Sequence, residues 1–337
     1  MSEPVFGTFT VNVAYEHAAT YRRQQVLSGL GIAMVPSGGE WLNLQWPVTE
    51  NEQVLWQHRF DRLQLGWRPT GAFELTAGRQ AVSWGTTLFF TPADPFMPFN
   101  PVDPFREFRA GVDVARARIY PNQLSEIDIV VRPTKTDAGE ELTVVIRGLT
   151  TWKHWELSGW AGSLYGDPTG AFGAAGSLGD WAVRGEALVR SIDDEIVVRG
   201  TVGFDRRLQV RGRDLFFIFE YQRDGLGANV PEKYLEVMLS DPFKRGEFQV
   251  IGRDETVAQA SYQVHPLLSV SGLWLWNLND RSSLIAQSFA YSASNEASIS
   301  GGVFFGFGDE EISLTNPMPS EYGLARMTTY LSLSWFF

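Results

Sequence analysis

The chain has 337 residues, no cysteine, and 39 acidic against 28 basic side chains, for a net charge of -11. Without cysteine there is no disulfide scaffold and no cysteine zinc site, which suits a protein exposed to the periplasm, and the acidic surplus argues against a nucleic-acid partner. Mean hydropathy is -0.13 and no run of about 18 apolar residues exists, so no transmembrane helix is expected; a membrane barrel escapes this test because its strands alternate lipid-facing and lumen-facing residues.

Met1-Ser2-Glu3 runs straight into a strand pattern, so no signal peptide is expected and the chain reads as mature-length with an added Met. Val5, Gly7, Phe9, Val11, Val13 and Tyr15 alternate with Thr8, Thr10, Asn12 and Glu16. That is the period of two of a strand with one apolar face. A polar turn at 20–24 leads to a weaker strand at 26–35, and Ser37-Gly38-Gly39 is a tight turn. Strands at 42–46 and 54–67 follow, the second closing with Leu63, Leu65 and Trp67 against Arg62, Gln64 and Gly66. Arg68-Pro69-Thr70-Gly71 predicts a hairpin turn, and the strand over 73–84 turns Glu74, Thr76, Gly78 and Gln80 inward.

The stretch 85–109 breaks the pattern with Pro92, Pro95, Pro98, Pro101 and Pro104 among repeated Phe. Proline gives no N–H to a ladder, so this is not sheet. It is too apolar for a solvated loop. It either folds into the barrel as a constriction or caps it from outside.

Strands then recur at 111–120, 124–133, 141–150, 153–165, 169–178, 180–191, 195–206, 209–223, 248–264, 267–278, 284–292, 296–307 and 325–337. Tight turns are expected at Pro121-Asn122-Gln123, Gly179-Asp180 and His265-Pro266, and longer acidic connections at 134–140 and 223–247, with a short helix over 231–239. Short turns on one side and long loops on the other mark outer-membrane barrels. The last strand points Met327, Thr329, Leu331, Leu333, Trp335 and Phe337 one way and Thr328, Tyr330, Ser332 and Ser334 the other. The pattern predicts one all-β domain over 1–337, a closed antiparallel transmembrane barrel of about 18 strands, or about 16 if the stretch near Val26 is not one. Its periplasmic turns are short and its extracellular loops longer.

The run Gly78-Arg79-Gln80-Ala81-Val82-Ser83-Trp84-Gly85, with Asp94-Pro95-Phe96-Met97-Pro98-Phe99-Asn100-Pro101-Val102-Asp103-Pro104 after it, resembles a motif of porin-like outer-membrane barrels of proteobacteria related to the alginate-export type. Gly252-Arg253-Asp254 opening a strand and the aromatic closing strand are similar as well, so the resemblance spans roughly residues 50 to 337. It implies a barrel of about 18 strands in the bacterial outer membrane, with a passive or facilitated role in export or uptake. It says little about the solute.

Strand charges belong in the lumen, because a charge facing lipid at mid-bilayer costs kcal/mol amounts. The expected pore lining is Arg62, Gln80, Arg116, Arg118, Glu126, Asp128, Arg132, Arg147, Arg184, Glu186, Arg199 and Glu220, with Arg190 and Glu156 on the same faces. Two readings stay open: a positively lined conduit that favours anionic solutes, or an internal Arg–carboxylate network that braces a wide barrel. Asp94, Asn100, Asp103, Arg106, Glu107 and Arg109 are the constriction candidates. Asp94, Asn100 and Asp103 carry hard oxygens, but their spacing matches no EF-hand loop, and neither metal nor cofactor is expected. Trp67, Trp274, Trp276, Phe305, Trp335 and Phe337 should form the lipid-facing aromatic rim. The acidic residues of the long connections read as solvated surface. His17, His58, His154 and His265 are scattered and no catalytic constellation shows, so no enzyme is expected.

The sequence therefore points to an outer-membrane channel for small hydrophilic solutes in contact with lipid and lipopolysaccharide, with self-association or another envelope protein as further partners. The alternative is a barrel that sheaths or anchors a partner, with its lumen plugged.

Overall fold

The computed structural model describes residues 7–21, 39–51, 54–96, 110–313, 316–325 and 327–335. Among the described residues seventeen strands form one antiparallel sheet. The first four are β1 (Thr8–Tyr21), β2 (Gln45–Glu50), β3 (Val54–Thr70) and β4 (Phe73–Gln80). Then come β5 (Val112–Asn122), β6 (Ser125–Thr136), β7 (Gly139–Trp152), β8 (Trp155–Leu164), β9 (Asp167–Leu178) and β10 (Trp181–Ile192). The rest are β11 (Glu195–Val210), β12 (Arg213–Asp224), β13 (Asp254–His265), β14 (Leu268–Asn277), β15 (Ser283–Ser292), β16 (Ala297–Phe307) and β17 (Thr328–Trp335).

From β3 onward each strand pairs with the next in sequence. β1 runs along one edge of β3, while β2 and β4 follow one another along its other edge. Sixteen strands therefore stand side by side, and β2 is a short extra piece in line with β4. Among the described residues β1 pairs only with β3, and β17 only with β16.

The two faces invert the polarity of a water-soluble protein. On β11, Ile196, Val198 and Val202 are exposed while Arg199, Thr201 and Asp205 are buried. On β17, Leu331 and Leu333 are more than 70% exposed. One face of the sheet is thus bare and apolar, and the other is charged and covered. The cover comes from the described parts of three long connections, 81–111, 225–253 and 308–327, which all leave the sheet at the same end. The second contains a 3-10 turn at Pro231–Lys233 and the short helices α1 (Tyr234–Leu239) and α2 (Asp241–Lys244). The connections pack apolar side chains such as Phe90, Phe96, Tyr234, Phe248 and Tyr322 onto the strands and one another.

At the opposite end every connection is short, and most hold two residues, as at Gly179-Asp180 and Arg211-Gly212. Arg211 and Gly212 both have positive φ (53° and 74°), the hairpin geometry that matches strand twist.

Several expected boundaries move. β1 continues through the expected turn at 20–24 as far as Tyr21. The expected strand at 26–35 and Ser37-Gly38 lie outside the described residues. The strand expected at 42–46 starts at Gln45, since 39–44 is irregular. The Arg68–Gly71 turn sits at Gly71-Ala72, because β3 stays extended through Pro69 to Thr70. The strand expected over 73–84 stops at Gln80, and that expected over 248–264 begins only at Asp254. The 121–123 and 265–266 turns fall at 123–124 and 266–267. The acidic 134–140 loop is mostly strand, closed by Asp137-Ala138; its charges include the cross-strand pair Lys135–Glu140 at 2.8 Å. The helix over 231–239 is present.

Candidate functional site on the covered face

Alternation along the strands brings the expected lining residues to the covered face, where most are already partnered. Arg116 donates to both oxygens of Asp128 (2.9 and 2.6 Å) and lies 3.9 Å from Glu126. Arg118 pairs with Glu74 (2.7 Å), Arg184 with Asp205 (2.9 Å) and Arg199 with Asp224 (2.7 Å). Arg62 pairs with its neighbour Asp61. Arg132 donates to the Phe96 carbonyl and to the Tyr165 hydroxyl (3.3 Å). Gln80 accepts from Thr76 Oγ1 at 2.8 Å. The arginine rows are therefore interleaved with carboxylates and largely neutralised. Arg147 differs: among the described residues it has no ion pair, and its guanidinium lies 5.8 Å from the Trp84 ring centre. Asp128, directly across the ladder from Arg147, is taken by Arg116 and by Trp84 Nε1 (2.9 Å).

The motif residues launch the first connection. Gly78 has φ 115°, and a Cβ there would stand 2.3 Å from the Leu63 carbonyl oxygen, so only glycine fits. From Trp84 onward the chain crosses to strands far along the sheet. Glu186 on β10 accepts the N–H groups of Thr86 (2.6 Å), Thr87 (3.2 Å) and Ala93 (3.0 Å). Glu220 on β12 accepts those of Leu88 (2.7 Å), Phe89 (3.0 Å) and Phe90 (2.8 Å). Gln249, on the second connection, accepts from Thr91 N–H (2.6 Å) and donates to the Phe89 carbonyl (2.7 Å). These acceptors satisfy a run of backbone donors that no ladder reaches.

Asp94 belongs to this cradle. Its carboxylate accepts from Ser83 Oγ (3.1 Å) and from the N–H groups of Trp84 (3.2 Å), Gly85 (3.3 Å) and Phe96 (3.2 Å). It is 7% exposed, and these bonds fold its own connection. Asn100, Asp103, Arg106, Glu107 and Arg109 lie outside the described residues.

The second connection docks by charge. Glu247 lies 2.6 Å from Arg190, 3.7 Å from Arg245 and 3.9 Å from Arg199. Arg190 also holds Asp167 (2.7 Å), and Arg245 holds Glu141. Burial pushes the Glu247 carboxyl up, and the three guanidiniums pull against that shift. The third connection docks without cations: Glu321 accepts the N–H groups of Ile251 (2.7 Å) and Gly252 (2.9 Å) and the amide of Asn277 (2.7 Å).

On the bare face, Trp67 stacks on Phe9 (6.2 Å), and Trp274 stacks on Trp276 (5.6 Å). Phe305 and Trp335 share this face by alternation. Phe337 lies outside the described residues. His17 and His58, distant in sequence, are direct cross-strand partners with rings stacked at 4.3 Å.

Sequence reasoning missed the roles of Arg79 and Asp113. They sit opposite one another on the bare face, joined at 2.9 Å, and both are buried. Residues 39–44 form the cover: Trp41 and Leu42 donate N–H groups to Asp113, the Leu42 carbonyl accepts from Arg79, and Glu40 adds an ion pair to Arg79 (2.9 Å). The signal was present: Arg79 alternates out of phase with Gln80 and needed a partner on an otherwise apolar face.

No family model matches the sequence, and neither does any curated protein. Among solved structures the chain is similar to OccAB1 of Acinetobacter baumannii, with 10% identity, a TM-score of 0.57, and coverage of 97% of this chain and 85% of that one. It is also similar to Wzi of Escherichia coli, an outer-membrane protein involved in group 1 capsule assembly and a carbohydrate-binding β-barrel. There the identity is 8%, the TM-score 0.51, and the coverage 90% and 80%. At this identity the likeness is one of fold: an all-β antiparallel sheet of the kind that builds outer-membrane β-barrels.

Proposed function

We propose that the sheet closes by pairing β1 with β17, and that the protein is an outer-membrane porin-like channel for small hydrophilic solutes. Sixteen side-by-side antiparallel strands leave β1 and β17 running in opposite directions, as antiparallel closure requires. The observation that carries the reading is the inverted polarity: an apolar bare face suited to lipid and a charged covered face suited to a water-filled lumen. The aromatic residues of the bare face fit the two membrane interfaces, which makes outer-membrane lipid and lipopolysaccharide the surrounding partners. The short-turn end faces the periplasm. The end with the three long connections faces outward, and those connections narrow the lumen, the first of them as its constriction. Arg147 and the paired Arg116, Arg118 and Arg184 line what remains. Because those rows are interleaved with carboxylates, the channel passes ions with little charge preference.

A second reading rests on how completely the connections cover the inner face. Phe90, Phe96 and Tyr322 are no more than 2% exposed, which also fits a plugged barrel that anchors an envelope partner. Planar-bilayer recordings across a KCl gradient separate the two. Discrete steps with a reversal potential near zero support the channel. Silence from protein shown to be inserted removes it and leaves the anchor.

A further inference from the structure

Glu255 at the start of β13 and Glu321 on the third connection are both buried, at 0% and 1% exposure. Both reach Gly252: Glu321 accepts its N–H at 2.9 Å, and a Cβ built there would stand 2.5 Å from Glu255 Oε1. The surroundings, taken element by element, hold no countercharge. The second connection contributes the Tyr234 hydroxyl and the Ile251 and Gly252 amides; β14 and the turn after it contribute Asn277 and Asp280; the third connection adds Tyr322. Asp280 accepts from Tyr234 (2.7 Å) and from the Glu321 N–H (2.7 Å). Among the described residues no Lys, Arg or His pairs with Glu255, Asp280 or Glu321.

The hydrogen bonds divide the pair. Glu321 receives three N–H donors, the setting of a carboxylate. Glu255 receives only the Tyr322 hydroxyl, on Oε2 (3.2 Å), and its Oε1 has no donor although it is buried. Two buried carboxyls that meet at one glycine with no cation beside them do not both ionise, so a proton belongs between Glu255 and Glu321. Burial holds the Glu321 carboxyl above the usual range, which agrees with a pair that carries one charge rather than two.

We infer that Glu255 and Glu321 form a proton-operated latch: the shared proton holds residues 316–325 against β13–β16, and losing it sets two buried anions side by side and releases that segment. The sign follows from which state binds the proton. The docked segment keeps it at a pH where released carboxyls would ionise, so docking is strongest at low pH and is lost as pH rises through the raised range of the Glu321 carboxyl. The latch rests on the fold alone and stands or falls apart from the channel reading.

Met318 reports on the segment, being 4% exposed and packed with Phe243 and Phe248 when docked, whereas Met327 is 65% exposed and serves as a reference in the same chain. Peroxide oxidation of the detergent-solubilised protein, followed by mass spectrometry, reads the ratio of the two. In the wild type the Met318 rate relative to Met327 should rise at least about tenfold between pH 6 and 9.5, the population change expected if the latch weakens by about 1.4 kcal/mol. Glu255→Gln places a permanent N–H donor against Glu321 and should stay at its pH 6 rate throughout. A flat wild-type profile overturns the latch, whatever the variant does. So does an equal rise in a Glu255→Gln protein that retains the heat-modifiable migration of a folded barrel.

Discussion

Glu247 and Glu321 perform the same task on different connections. Each is a buried carboxylate at a point where a long segment meets the strands, yet Glu247 is ringed by Arg190, Arg199 and Arg245, and Glu321 has no cation among the described residues. A buried charge is tolerated when it is compensated, or when backbone and amide donors replace its water and a neighbour keeps a proton. The first solution resists change because guanidinium does not titrate. The second responds to pH. The connections thus divide into one held by fixed charge and one held by an exchangeable proton, and the 81–96 segment, held by Glu186 and Glu220 through backbone N–H groups, stands between them.

Substitutions should break this comparison in a definite order. Glu247→Ala leaves the buried Arg190 with Asp167 and Arg199 with Asp224 but removes the carboxylate they share, and should cost about 3 kcal/mol in urea unfolding from micelles. Glu220→Ala leaves the Leu88, Phe89 and Phe90 donors short of an acceptor. A loss of about 2 kcal/mol is expected, with protease sensitivity confined to 81–96. Glu321→Gln removes a charge that had no counterion but turns its amide N–H2 against at least one of the Ile251, Gly252 and Asn277 donors, so its cost at neutral pH should be about 1–2 kcal/mol; a loss as large as that of Glu247→Ala would erase the distinction between the two latches. Arg206→Ala breaks an exposed pair with Asp180, which is 78% exposed, and should change stability by less than about 0.5 kcal/mol.

Much of the fold was legible because strand alternation is local. Leu63, Leu65 and Trp67 against Arg62, Gln64 and Gly66 fix which side of β3 is apolar without knowledge of any partner. Boundaries were less legible where charge imitated a loop: Lys135, Asp137 and Glu140 read as a solvated connection, yet a two-residue turn and a cross-strand ion pair make the segment a hairpin. The candidate site was legible as a set of charges sharing one face of the sheet but not as a set of contacts. Glu186 and Glu220 look like pore acids in sequence, and their work on the backbone of 86–93 depends on residues about 100 and 130 positions away. Asp94 likewise looks like a constriction acid and is spent on the amides of its own connection. Arg79, in the motif that suggested the family resemblance, faces the apolar side because 39–44 arrives to cover it, a tertiary event that period-two alternation does not encode.

The most direct test of the account compares single-channel conductance of the wild type with that of a Glu186→Ala, Glu220→Ala double variant under identical bilayer and salt conditions. If the first connection crosses a closed lumen and narrows it, the wild type should give small, quiet steps and the variant larger, noisier ones as 86–93 comes away from the wall. Equal conductance from two folded, inserted proteins would contradict the account, because the segment held by Glu186 and Glu220 would then not lie in the path of the ions.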